Sequence, residues 1–163
     1  MAKRDGQGIK REKSEAMKQT EEWNAARSRI ENQIKELRRR LHKCPEISGQ
    51  ERKTKAALRQ FLEENTGLEL RGCGGGFYAA YRSDMVDPAK KGIAFRADYD
   101  ALALPEGGAA HLCGHDGHAS ALCGAALLLE QQIKEGREPG RNVFFLFQPA
   151  EETGAGAATC CEL

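Results

Sequence analysis

From Glu21 onward apolar residues return at helical spacing. Trp23, Ile30, Ile34, Leu37 and Leu41 fall on one stripe with charges elsewhere, which predicts an amphipathic helix running to about His42. Pro45 ends it. The stretch before it, residues 1–20, mixes Lys, Arg, Glu, Gln and Gly with almost no large apolar side chains, so a frayed, charged tail is expected there. Ser48-Gly49-Gln50-Glu51 has the Ser-x-x-Glu form of a capping box, and Ala57, Leu58, Phe61 and Leu62 supply the buried face of a second helix closed by Thr66-Gly67.

Past Gly67 the period shortens. Leu68 to Leu70 and Phe77 to Tyr81 read as strands on either side of a glycine-rich turn, Gly72 to Gly76, which lacks the Gly-Lys-Ser/Thr ending of a phosphate loop. Asp84 to Lys91, with Asp87-Pro88, reads as a surface loop. Gly92 to Arg96 is a third strand, short and apolar enough to be buried, and it delivers Asp98 and Asp100 at its carboxyl end. From His118 through Ile133 a helix is apolar on nearly every side, and Val143 to Phe147 is apolar without alternation, as a central strand would be. Strand, helix and strand in that order predict a right-handed parallel crossover in an α/β chain. Chemistry in such sheets gathers beyond the carboxyl ends of the strands.

Composition narrows the function. A net charge of +1 over 163 residues gives no pull toward nucleic acid, and the basic spot Arg38-Arg39-Arg40 with His42-Lys43 reads as a solvated helix face. No apolar run approaches a membrane span, and the first residues hold no apolar core of a secretory signal. Six cysteines without C-x-x-C spacing are expected to be reduced thiols of a cytoplasmic protein.

Two segments carry candidate chemistry. His111-Leu112-Cys113-Gly114-His115-Asp116-Gly117-His118 offers a thiolate and an imidazole one residue apart at the mouth of a helix, a donor set for a borderline divalent ion rather than for calcium or magnesium. The helix N-terminus is expected to lower the Cys113 pKa, and Gly114 and Gly117 to let the backbone turn tightly. Downstream, Gln148-Pro149-Ala150-Glu151-Glu152 places adjacent carboxylates after a buried strand, where neighbouring side chains diverge: one could hold a metal while the other faces its water. Each segment alone also fits a bland reading, a hydrogen-bonded structural histidine or a solvated acidic first turn.

Together, Leu37 to His42 with Pro45-Glu46, Arg96-Ala97-Asp98-Tyr99-Asp100-Ala101-Leu102, the Cys113 segment, and Phe147 to Glu152 resemble, in order and spacing, the hippurate hydrolase family of metal-dependent amidohydrolases, which includes N-acyl-amino-acid deacylases and auxin-conjugate hydrolases. The resemblance runs from about Trp23 to the end. It implies a three-layer helix-sheet-helix catalytic domain of zinc-exopeptidase type with a mixed, mostly parallel sheet, incomplete here, with residues 21–163 as its amino-terminal part. It implies two divalent ions, manganese or zinc first and nickel or cobalt as alternatives, with Cys113, His115 and Glu152 as ligands. Glu151 would be the general base, and Asp100 the acidic residue that orients a ligand. Asp98 and His118 lie near the site with weaker claims. The implied reaction is hydrolysis of an N-acyl amino acid. A further ligand, a distant histidine and a dimerising lid domain would lie beyond Leu163, and the Leu104 to Ala110 loop is shorter than in many relatives. A fragment of this kind is expected to aggregate or associate. The competing expectation is a catalytically inactive remnant that binds metal or a partner.

Overall fold

The apolar stripe of the first helix is the face that packs. In the computed structural model, which describes residues 6–83, 86–87 and 89–160, α1 runs over Gly6–His42, and among its described side chains Ala26, Ile30, Leu37 and Leu41 are buried. The helix begins at Gly6 rather than near Glu21, so most of the expected tail is helical; residues 1–5 lie outside the described residues. Good helix formers and i,i+4 pairs such as Lys18–Glu22 extend a helix without any apolar face to bury. Met17 is accordingly exposed.

The second helix, α2 (Arg52–Asn65), follows, burying Leu58 and Leu62, and its N-terminus overturns the expected capping box. Glu51 is the N-cap residue but makes no side-chain cap bond. The Glu46 carboxylate caps the helix instead, accepting from the Thr54 N–H at 2.7 Å and the Lys53 N–H at 3.2 Å. Ser48 and Glu51 are thereby free to reach elsewhere.

Strands β1 (Glu69–Cys73) and β2 (Gly76–Tyr81) form an antiparallel hairpin. At its tip Gly74 has φ +51°, and a Cβ there would lie 2.0 Å from the Thr159 carbonyl oxygen, so both conformation and space require glycine. Strand β3 (Ile93–Asp98) and the two-residue strands β4 (Leu102–Ala103) and β5 (Ala109–Ala110) come next, then α3 (His115–Lys134), β6 (Val143–Gln148) and the short α4 (Gly156–Thr159). Residues 84, 85 and 88 of the expected surface loop, including Pro88, lie outside the described residues.

The main sheet has the order β1-β2-β6-β3. The expected parallel pairing of β3 with β6 across α3 is present, with Asp98 opposite Gln148, and β6 is interior. The other two pairings are antiparallel, so the sheet is mixed but not mostly parallel. Helices crowd one face, where Phe77, Ala79, Ala97, Val143, Phe145 and Phe147 meet Leu58, Leu62, Ala119, Leu122, Cys123 and Ala126. Phe77 and Phe147 stack with ring centroids 4.6 Å apart. On the other face Tyr78, Ala80, Phe144 and Leu146 form a smaller cluster with Cys73 and Cys160, the latter just past α4. The third layer is therefore represented among the described residues by α4 alone.

Strand β3 was expected to be buried, and it is an edge strand with Ile93 and Phe95 exposed. Apolar composition reports that a strand wants a neighbour, not that one is present. No described helix is long and apolar enough to cross a membrane.

Because Leu62 is fully buried while Leu112 is 71% exposed, truncating them should have opposite consequences. In urea unfolding, Leu62→Ala is expected to lose about 2–5 kcal/mol. Leu112→Ala should stay within about 0.5 kcal/mol of the native chain.

Candidate metal centre

Parallel pairing of β3 and β6 brings their carboxyl ends side by side, and the N-terminus of α3 lies at the same end. Gly114, with φ +79°, turns the chain into α3 and presents Cys113 and His115. Gly117 sits inside the helix, and an added Cβ would meet only ordinary contact with Arg38, so the tight turn belongs to Gly114 alone.

Asp100, fully buried, organises what meets there. Its Oδ2 accepts from the Ser48 hydroxyl at 2.7 Å and from the Glu152 backbone N–H at 3.0 Å; its Oδ1 lies 3.1 Å from His115 Nδ1. Burial alone would raise its pKa, but the Ser48 hydroxyl, the N–H groups of Glu152 and Glu151 and the His115 ring outweigh it and hold the carboxyl below its ordinary range. The same contacts fix the His115 ring with Nε2 turned inward. That nitrogen is 3.7 Å from Glu152 Oε1, 3.8 Å from Glu151 Oε2 and 3.7 Å from Asp98 Oδ1. Such separations are too long for hydrogen bonds and short enough for two donors to share one ion.

The donor atoms of Cys113, His115 and Glu152 lie within 4.8 Å of one another. Glu152 Oε1 is buried and has no hydrogen-bond partner among the described residues, as a carboxylate oxygen available to a cation would be. The expectation that the helix N-terminus lowers the Cys113 pKa fails. Interaction with the Glu152 carboxylate, then desolvation and the charges of Glu151 and Asp100, hold the thiol above its ordinary range. A cation among these groups would reverse that balance, since a coordinating thiol is deprotonated outright. The residues present thus fit a thiophilic divalent ion.

Asp98 and His118, the weaker candidates, are near but engaged. Asp98 Oδ1 lies 2.8 Å from His118 Nδ1, and Asp98 Oδ2 lies 3.0 Å from Arg96 Nη1. Their donor atoms also fall within 4.8 Å of one of His115. With both oxygens of Asp98 already paired to basic groups, this second cluster is the poorer cation holder. Glu151, with its side chain 43% exposed, faces outward beside the inward Glu152 at 18%, the divergence expected of adjacent residues.

Two groups went unread in the sequence. Ser48 looked like a cap and clamps Asp100. Arg38 and His42 looked like solvated cations and instead reach Asp116, at 3.4 Å and 2.9 Å, whose side chain is fully buried next to His115 in sequence. The His42 ring stacks on that of His111 at 6.1 Å. The signal in both cases was one of polar residues facing a distant segment, which no local pattern reports.

Residues 94–163 match the model of peptidase family M20/M25/M40. Over 149 residues, 83% of this chain and 34% of the relative, the sequence is 39% identical to the N-acetyl-L-cysteine deacetylase of Bacillus subtilis. A crystal structure from Bacillus subtilis described as a dinuclear metal binding peptidase from the M20 family aligns with TM-score 0.67 at 37% identity, covering 83% of this chain and 38% of that one. A putative aminohydrolase from methicillin-resistant Staphylococcus aureus aligns with TM-score 0.69 at 29% identity, covering 85% and 38%. The chain spans about a third of the length of the curated relatives it matches.

The buried Asp116 yields a pH dependence. Burial works to raise its pKa, but His42, the Gly117 N–H and the charges of His111 and Arg38 leave it net below its ordinary value. A depressed carboxyl contributes stability that is present above the unfolded value, about 3.9, and is lost as pH falls through the folded one. Urea titrations in chelator from pH 6 downward should therefore show a gap between native chain and Asp116→Asn that narrows with acid; a gap constant with pH would contradict this.

Proposed function

We propose that the site hydrolyses the amide bond of N-acyl amino acids, hippurate-like substrates among them, a reading supported by the match of residues 94–163 to peptidase family M20/M25/M40, whose members are metal-dependent hydrolases. The observation that carries the reading is the orphaned Glu152 Oε1 aimed at the space shared with His115 Nε2 and the Cys113 thiol. Cys113, His115 and Glu152 would hold metal, manganese or zinc in the first place. Divalent ions at such a site polarise a scissile carbonyl and bring the pKa of water from about 15.7 toward 7.

The chain's own residues do the rest. Asp100 fixes the His115 ring and, through the Glu152 N–H, the backbone that aims the carboxylates. Glu151, exposed to solvent and 3.8 Å from His115 Nε2, accepts the proton of the attacking water and returns it to the amine nitrogen as the carbon–nitrogen bond breaks. An N-acyl amino acid is supported as the substrate class by the deacetylase relative at 39% identity. A thiol that must stay free suits a reducing compartment, so the cytoplasm is the proposed location. Exposed Ile93 and Phe95 on the β3 edge support association, with a second copy or with the remaining part of a longer enzyme.

A second reading has its own observation. Three donors from the described residues complete a catalytic set for one ion, whereas the structural relative is described as dinuclear. Metal binding without turnover would follow.

Incubation with zinc or manganese and either N-acetyl-L-cysteine or hippurate separates the two. Hydrolysis that falls about 10²–10⁴-fold in Glu151→Gln, with bound metal unchanged, is the expected result. Stoichiometric metal with no turnover in the native chain would overturn it in favour of the second reading. Cys113→Ser and Glu152→Ala should each lose metal by atomic absorption after dialysis.

A further inference from the structure

Ala150 is the one non-glycine among the described residues with positive φ, 49°, and it immediately precedes Glu151 and Glu152. Left-handed backbone is unfavourable for a residue carrying a Cβ, and it persists where surrounding contacts impose it. Two contacts do so here. The Ala150 carbonyl accepts from the Gly156 N–H at 3.0 Å, in a cradle so close that a Cβ on Gly156 would lie 1.6 Å from the Pro149 oxygen. The Ala150 N–H donates to Glu51 Oε1 at 2.8 Å, across 99 positions of sequence.

Glu51 is itself buried. It sits at the N-cap of α2 yet gives that helix no side-chain bond, since Glu46 does the capping. A buried carboxylate that ignores its own helix and binds a backbone N–H in the segment leading to the site is poorly explained as a stabiliser of α2. Charge-assisted bonds of this kind are short and directional.

We propose that Glu51 is a positioning residue: its carboxylate holds Ala150 in the left-handed conformation, and that conformation sets the directions in which Glu151 and Glu152 leave the end of β6. The proposal rests on the reading of Cys113, His115 and Glu152 as metal ligands. Glu51 touches none of them, and acts only through the backbone at 150. Ser48, three residues earlier, clamps Asp100, so the connection between α1 and α2 grips both segments that frame the site.

The test is a double-mutant cycle read by zinc titration calorimetry, with thermal unfolding alongside. Glu51→Ala is expected to weaken zinc binding about 10-fold or more, in the range found on losing groups that support a ligand. Glu51→Gln, which keeps an acceptor oxygen in place, should remain within about 3-fold. In the Ala150→Gly background, where left-handed backbone needs no support, Glu51→Ala should cost less than about 3-fold. Equal losses in both backgrounds, tracking equal falls in melting temperature, would overturn the proposal, because Glu51 would then act on the fold and not through Ala150. Should Glu51→Ala fail to fold, Glu51→Met removes the acceptor at similar volume and carries the same comparison. Zinc binding that loss of the acceptor leaves unchanged overturns this proposal alone; a native chain that binds no zinc overturns the metal-site reading with it.

Discussion

One buried carboxylate joins the pieces of this site. Asp100 is held by a hydroxyl from the connection between α1 and α2, meets the imidazole at the start of α3, and accepts the backbone N–H of Glu152 after β6. Three segments remote in sequence converge on its two oxygens, and each bond answers part of the cost of removing a charge from water. Take the carboxylate away and the His115 ring, the Glu152 backbone and Ser48 each lose their common reference. The sheet supplies the precondition: parallel β3 and β6 end together, so the loop bearing Asp100 and the loop bearing the glutamates start as neighbours.

Around that carboxylate the polar groups differ in how completely they are satisfied, and the difference sorts them. Asp100 and Asp98 are saturated by neighbours. Glu152 Oε1 is not, and His115 Nε2 faces carboxylates at distances no hydrogen bond spans. Most buried polar atoms in folded proteins are paired. The Cys113 thiol lies among the same carboxylates, and Glu152 first, then desolvation and the charges of Glu151 and Asp100, hold it above its ordinary range.

Much of the frame was legible in the sequence because it rests on local periodicity. The stripe from Ile30 to Leu41, the all-round apolar helix through Leu129 and the uninterrupted run Val143 to Phe147 became α1, α3 and the interior β6. The convergence of Cys113, His115 and Glu152 followed from β-α-β order. What failed was whatever depends on neighbours. The run Ile93 to Ala97 is equally apolar in a central or an edge strand, and here it is the edge. The letters Ser-x-x-Glu at 48–51 describe a capping box as well as two side chains reaching Asp100 and Ala150. Arg38 and His42 on an exposed helix face gave no hint of Asp116 beneath them. Two-residue strands such as β4 and β5 leave no period to read.

The central claim is that a thiolate and an imidazole from the α3 entrance and a carboxylate from beyond β6 hold the same ion. X-ray absorption at the zinc edge of the zinc-loaded chain tests it most directly. The account predicts one sulfur scatterer at about 2.3 Å among nitrogen and oxygen neighbours at about 2.0–2.2 Å, with the sulfur shell absent in Cys113→Ser. A shell of nitrogen and oxygen alone in the native chain would contradict it.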